Sequence, residues 1–318
     1  MHQLRKLILI RVLLGVATLF VVSLIVFLAV QLLPGDLAQQ LLGQSATPEN
    51  VAALRAELGL DVPAYIRYFD WLWGILHGDL GRSLAANREI SEMIAPRLVN
   101  TFRLALLAAI IAIPVGISLG IAAALFRNTI FDRAITIVTL AAISLPEFFV
   151  AYILVMVLAV QLPWFPSISR ISPDMTFGET IYRLILPSTT LCFAVIGYIM
   201  RLTRAAIVNV MSEPYVEMAR LKGIRPWKVV IVHALPNALA PIINVVALNL
   251  AYLIVGVVIV ETVFVYPGLG QLLVDSVVKR DITVVQAASL IFAGVYIIIN
   301  LLADVLSIAT NPRLSRSR

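Results

Sequence analysis

Six unbroken apolar runs dominate this chain, and no other feature restricts its possible folds so sharply. They occupy about residues 8–33, 101–126, 132–161, 184–206, 237–265 and 283–308. About 20 helical apolar residues cross the roughly 30 Å of hydrocarbon in a bilayer, so each run is long enough to span it. In that medium every backbone N–H and C=O must find a partner within the chain, which leaves only helices and closed barrels. The runs are continuous rather than alternating over about ten residues, so a barrel is excluded. An all-α integral membrane protein with six transmembrane helices is therefore expected. Of 318 residues, 61% are hydrophobic and only 13% charged, with mean hydropathy +0.98. A soluble domain is about half apolar and a quarter charged.

Charge sets the expected orientation. His2, Arg5, Lys6 and Arg11 flank the first run, and Arg127 and Arg133 bracket the short loop between the second and third. Arg201, Arg204, Arg220, Lys222, Arg225 and Lys228 crowd the loop between the fourth and fifth, and Arg313, Arg316 and Arg318 close the chain. With six spans these groups fall on one side, and by the positive-inside rule both termini are cytoplasmic. A pI of about 9.7 would suit a nucleic-acid partner, but the cations sit at the ends of apolar runs. Membrane lipid, not nucleic acid, is the expected neighbour. The single cysteine, Cys192, allows no intrachain disulfide. The first run is too long for a signal-peptide core and lacks a small-residue cleavage pattern, so it reads as a retained span ended by the turn Leu33-Pro34-Gly35-Asp36.

The outer loop, about residues 34–99, is too long to be a mere connector. Thr47-Pro48-Glu49 starts a helix with Val51, Leu54 and Leu58 on one face and a stop at Gly59. A second pattern puts Tyr65, Tyr68, Phe69, Leu72 and Ile75 on one face, with Trp71 and Trp73 nearby. Aromatics at that density favour the membrane–water boundary, so a small helical extracytoplasmic cap on the bundle is predicted.

Candidate chemistry inside the spans is sparse. Gly116-Ile117-Ser118-Leu119-Gly120 formally matches a nucleophile elbow, but it lies mid-helix with no histidine in reach, so it reads as a small-xxx-small packing face. No phosphate loop of the Gly-x-x-x-x-Gly-Lys-Ser/Thr type occurs, nor a His-Glu-x-x-His zinc pattern or a Cys/His cluster. The chain is not expected to be an enzyme. Ionisable groups at membrane depth are costly and line a cavity or find a partner. Glu147, Asn249 and Glu261 are accordingly the candidates for a translocation path, with no metal site. For Glu147 the rival is a hydrogen bond tied to a kink at Pro146, and for Glu261 and Asp304, near the interfaces, it is solvation or a structural pair. Tyr266-Pro267-Gly268-Leu269-Gly270 is an outer turn, and Arg280-Asp281 reads as a solvated loop pair.

The segment from Glu213 to Ile242 stands apart, because it places a short polar helix between two membrane-grade runs on the basic side. Ser212 is its expected N-cap, Pro214 suits the first turn, and Lys222-Gly223 is a stop. About ten residues do not hold a helix in water without packing. With a weak apolar face and re-entry through Pro226, Pro236 and Pro241, it is expected to dock into a groove of another protein.

At these residues the sequence resembles the inner-membrane permease subunits of type I ABC importers, whose motif is Glu-Ala-Ala, three residues, Gly, nine residues, Ile-x-Leu-Pro. Glu217, Ala219, Gly223, Leu235 and Pro236 match at the right spacing, with Met218 and His233 departing from it. The form His-Ala-Leu-Pro-Asn-Ala is similar to the peptide/nickel branch. Leu32-Leu33-Pro34-Gly35-Asp36, Leu58-Gly59-Leu60-Asp61, Gly78-Asp79-Leu80-Gly81, Pro267-Gly268-Leu269-Gly270 and Asn311-Pro312-Arg313 look like segments of that branch's first permease, where the last usually reads Asp-Pro-Arg.

The resemblance implies a multi-pass protein of the bacterial inner membrane, working with a second permease, two ATP-binding subunits and an extracytoplasmic solute-binding protein. No cofactor is expected on this chain, with ATP and Mg belonging to the partner subunits. Residues 1–99 would be an added helix and loop, 100–309 the permease domain and 310–318 a cytoplasmic tail. Glu217, Met218, Ala219, Arg220, Gly223, Leu235 and Pro236 would couple to an ATP-binding subunit. The implied cargo is dipeptides or oligopeptides; nickel chelates, glutathione and oligosaccharides are the alternatives within the class. An ion-coupled secondary carrier is the competitor from another class.

Overall fold

The computed structural model describes residues 2–32, 37–42, 46–57, 59–172 and 174–310. The turn at Leu33-Pro34-Gly35-Asp36, Leu58, and the tail with Asn311, Pro312, Arg313, Arg316 and Arg318 lie outside the described residues. The described chain is helical: α1 (His2–Gln31), α2 (Leu37–Leu42), α3 (Pro48–Glu57), α4 (Ala64–Leu76), α5 (Ile90–Leu125), α6 (Ile130–Ser144) and α7 (Glu147–Leu154). There follow α8 (Phe177–Val210), α9 (Pro214–Leu221), α10 (Pro226–Lys228), α11 (Leu235–Val263), α12 (Leu269–Val278) and α13 (Ile282–Thr310). Five continuous helical stretches, at Ile8–Gln31, Ile90–Leu125, Phe177–Val210, Pro226–Val263 and Ile282–Val305, are long and apolar enough to cross a membrane.

The third expected span is not one straight helix. α6 and α7, the latter prolonged by a π-helical turn to Gln161, meet at 104°. Pro146 has no N–H to continue the ladder and pushes its predecessor out of the helical region. Leu145 and Pro146 are accordingly both extended, at ψ 133° and 140°. This pair is a sixth span only if its two arms count as one.

The core lies where α5, α8 and α11 meet, around Leu104, Ala108, Ala112, Leu191, Val195, Ile199, Val257 and Val260. α5 presents a stripe of small residues, which brings its backbone close to α8. A Cβ on Gly116 would come within 2.8 Å of Ile199, and one on Gly120 within 2.6 Å of Thr203. The small-xxx-small face is thus a packing face, with Cys192 Sγ donating across the same interface to the Ala108 carbonyl at 3.4 Å. α8 begins earlier than its apolar run because Thr176 and Glu179 form a capping box.

α1 is peripheral, fixed to α13 by Arg11–Asp304 at 2.7 Å and to α4 by a hydrogen bond between the Ser23 and Tyr68 hydroxyls at 2.8 Å. Tyr68 is buried among Phe20, Phe27 and Trp71, whereas Tyr65 and Phe69 are exposed. The inner face of α4 therefore runs through Tyr68, Trp71, Leu72 and Ile75, keeping three of the five predicted positions and leaving out Tyr65 and Phe69. α3 starts as expected, the Asn50 N–H donating to Thr47 Oγ1 at 3.3 Å, and ends before Gly59 at φ +62°.

Candidate functional site

α9 is built from its ends inward. Pro214 occupies the first turn, and the N-cap position is Glu213 without a side-chain bond. Ser212 is not the cap, because its hydroxyl donates backwards to the Asn209 carbonyl at 2.7 Å. At the other end the Gly223 N–H donates to Arg220 O at 2.9 Å and the Ile224 N–H to Ala219 O at 3.3 Å. This pair of bonds is a Schellman stop, and it needs the left-handed φ of +75° that Gly223 adopts. Ile224 packs back on Val216 and Ala219, completing the motif.

The short helix is not weakly apolar on its inner side, as the sequence suggested. Val216 and Ala219 are buried against Val229 of the same chain, which supplies the packing that eight residues need. The outer side is left uncovered, with Met218 53% and Leu221 76% exposed beside Glu217 and Arg220. Burial, and then the neighbouring Glu213 carboxylate, push the Tyr215 phenol up from its ordinary value.

Behind α9 the chain re-enters the bundle through α10 and a π-helical segment, Val229–Ala234, in which the Leu235 N–H reaches back to Val230 O. The cause is Pro236, whose ring clashes with the carbonyl four residues earlier in a regular helix, and the wider turn relieves it. Leu235 packs against the cluster around Ile207 and Val230, while Pro236 is exposed in the first turn of α11. Asn237 Nδ2 donates to the His233 carbonyl at 2.9 Å. Ala219, Gly223, Leu235 and Pro236 thus each have a backbone or packing role in holding one rigid hook.

The hook faces one corner of the bundle across a cavity. A cavity of about 550 Å³ separates it from the α5–α6 corner, with Arg127, Asn128, Met211, Arg220 and Ile224 among its walls. That corner is locked by Arg204 of α8, whose Nε and Nη2 donate to the two Asp132 oxygens at 2.6 and 2.7 Å. The Asn128 N–H adds a bond at 3.0 Å. A planar guanidinium fork on a carboxylate fixes both groups in orientation. This pair was not foreseen; an aspartate just after Thr129, facing an arginine two turns before the end of α8, was its only signal.

The three candidate path residues belong to separate networks. Glu261 is fully buried and accepts from Thr101 Oγ1 at 2.6 Å, the Gly270 N–H at 2.7 Å and the Gln271 N–H at 3.2 Å. Thr101 Oγ1 in turn accepts from the Leu269 N–H at 2.8 Å, so the carboxylate holds the start of α12. The Tyr266 hydroxyl donates to Asn100 O at 2.9 Å, and burial, with the Glu261 carboxylate next, pushes that phenol up so that it stays a donor. Asn249 is buried and donates to its own Val245 carbonyl at 2.9 Å. Glu147, first residue of α7, is half-buried and lies against Gly256 of α11.

Arg280-Asp281 is not a solvated pair. Asp281 is buried, accepting from the Ser83 hydroxyl and from the Leu84 N–H at 3.1 Å, which ties the 82–86 loop to the α12–α13 corner.

Comparison with known proteins covers most of the chain. The family described as "Binding-protein-dependent transport system inner membrane component" matches residues 116–316, and its N-terminal counterpart matches residues 4–105. The chain is 40% identical to a Brucella abortus (strain 2308) protein provisionally named a peptide transport system permease, over 96% of this chain and 98% of that one. It is 39% identical to the glutathione transport system permease of Salmonella choleraesuis (strain SC-B67), over 93% and 94%. Among solved structures it is similar to the inward-facing MetNI methionine ABC transporter, at 18% identity and TM-score 0.49, over 68% of this chain and 93% of that one.

Proposed function

The chain belongs to the family of binding-protein-dependent transport system inner membrane components, and on that premise we propose that it is one of two permease subunits of an ATP-driven peptide importer. As a member of that family it is a multi-pass protein of the bacterial inner membrane and a component of a transport system. The proposal adds an arrangement: six spans with the α6–α7 pair as one, both termini cytoplasmic, and the α4 side extracytoplasmic. It adds companions as well: a second permease, two ATP-binding subunits carrying ATP and Mg, and a solute-binding protein outside.

One observation carries the coupling part of this reading. α9 is clamped to its own chain by Val216, Ala219 and a Schellman stop, yet presents Met218 and Leu221 to the outside. Exposed apolar residues on a rigid short helix are the geometry of a handle for a partner's groove. An ATP-binding subunit that grips it moves the helix as a lever, and the π-helical segment delivers the motion to α11. The peptide cargo is supported by the relatives' names, which refer to peptides and to glutathione, itself a tripeptide.

The test is uptake by the complete transporter in proteoliposomes. Dipeptide accumulation that requires ATP and survives collapse of ion gradients is the expected result. Accumulation that continues without ATP and stops with the ion gradient identifies a secondary carrier and overturns the proposal.

A further inference from the structure

Apart from Glu147, the acids in the apolar spans and at their ends are satisfied by the structure itself. Asp132 is held by Arg204, Glu179 by its capping box, Glu261 by Thr101 and two backbone N–H groups, and Asp304 by Arg11. Glu147 differs. It forms no ion pair among the described residues.

The Glu147 carboxylate rests against the backbone of α11. Gly256, one turn beyond Tyr252 on α11, leaves the space that the carboxylate fills; a Cβ there would come within 2.7 Å of Oε1 and 3.0 Å of Oε2. Tyr198 of α8 stands edge-on to Tyr252, ring centroids 6.2 Å apart at 62°. Both rings are partly open, Tyr198 at 37% and Tyr252 at 41% exposure. Three helices thus bring one unpaired carboxylate and two electron-rich rings to one place. Tyr198 and Tyr252 sit near the middle of their helices, which puts the cluster at membrane depth.

Resting on the reading of this chain as an importer permease, the geometry points to Glu147, Tyr198 and Tyr252 as a subsite for the protonated primary amine of the passing solute. A carboxylate without a cation partner in apolar surroundings is stabilised by an arriving ammonium far more than it would be in water. Ring faces within about 6 Å of a cation add to that attraction. Seated against Gly256, the carboxylate offers its lone pairs to the amine. The break at Leu145–Pro146 frees Glu147 from the interior of a continuous helix, so its side chain stands at a corner.

The experiment uses the complete transporter in proteoliposomes, with L-alanyl-L-alanine and its N-acetyl form as probes, for wild type, Glu147→Gln and Glu147→Asp. The same binding protein serves every sample, so its own discrimination cancels in the variant-to-wild-type ratio. Glu147→Gln is expected to lower uptake of the free-amine probe about tenfold or more, the range of a lost charge-assisted hydrogen bond. Uptake of the acetylated probe and ATP hydrolysis with empty binding protein should stay at wild-type rates. Glu147→Asp, which keeps the charge, should retain most of the free-amine uptake. An unchanged free-amine rate in Glu147→Gln overturns the inference. So does an equal fall for both probes, or for basal ATP hydrolysis, which would make Glu147 a structural residue of the assembly. If wild type itself takes up neither probe on ATP, the peptide-importer reading fails, and the amine subsite falls with it.

Discussion

Replacing Gly223 isolates one physical quantity, the cost of a left-handed residue at the end of α9. Gly223 has φ +75°, and no atom lies within 4 Å of the position a Cβ would take. A substitution there meets no obstacle, so its whole cost is backbone conformation. For an L-residue that cost is about 1–2 kcal/mol, more for a β-branched one and less for asparagine. Against it stand two Schellman hydrogen bonds and the Ile224 contact, together on the order of 2–3 kcal/mol. Gly223→Asn should therefore leave the stop formed, Gly223→Ala should loosen it by about five- to thirtyfold, and Gly223→Val should leave it largely frayed. The assay is ATP hydrolysis by the assembled transporter, stimulated by solute-loaded binding protein. Coupling should rank Gly, Asn, Ala, Val, while the binding protein's affinity for solute stays constant. If asparagine proves worse than alanine, bulk and not backbone conformation decides, and the reasoning is wrong.

Other consequences follow from the same geometry. Glu261→Ala strips three donors of their acceptor at the start of α12 and should destabilise the protein by about 2–4 kcal/mol, read as a lower unfolding temperature in detergent. Gly120→Ala places a Cβ 2.6 Å from Thr203, whereas Gly294→Ala on α13 meets nothing within 4 Å. The first should cost at least about 1–3 kcal/mol of thermal stability and the second about nothing; equal effects would contradict the α5–α8 packing. Asp281→Ala releases the Ser83 and Leu84 donors and should raise tryptic cleavage at Arg82 and Arg88 by about tenfold, with unchanged cleavage marking the clamp as unimportant.

Much of this was legible from the residues alone, and the omissions have physical causes. Continuous apolar runs located the long helices because the requirement acts on length and polarity only. The break of the third run at Pro146 was visible as a proline, but a bend of 104° is set by how α7 packs on α11, which no local pattern records. Gly223 announced its turn because glycine is the usual left-handed residue. The same Schellman geometry at Val265, φ +50°, and Arg280, φ +56°, carried no such signal and was missed. Asp281 looked solvated beside Arg280, since its partners lie almost 200 positions earlier, on a loop whose return to α12 is a tertiary fact. The motif around α9 gave its residues by resemblance, but the division into a buried inner face and an open outer one emerged only from packing on Val229.

The most direct test of the account asks what covers the outer face of α9. Leu221→Cys puts a thiol on its most exposed apolar position and Val216→Cys one on its buried face, while the native Cys192 is buried in the bundle. In the transporter assembled with its companions, a photoactivatable thiol label at Leu221→Cys should cross-link to an ATP-binding subunit and become shielded from soluble maleimide. The Val216→Cys control should do neither. If Leu221→Cys remains as open to maleimide in the assembly as in the isolated chain, or its label reaches only lipid, α9 is not the handle through which this permease is driven.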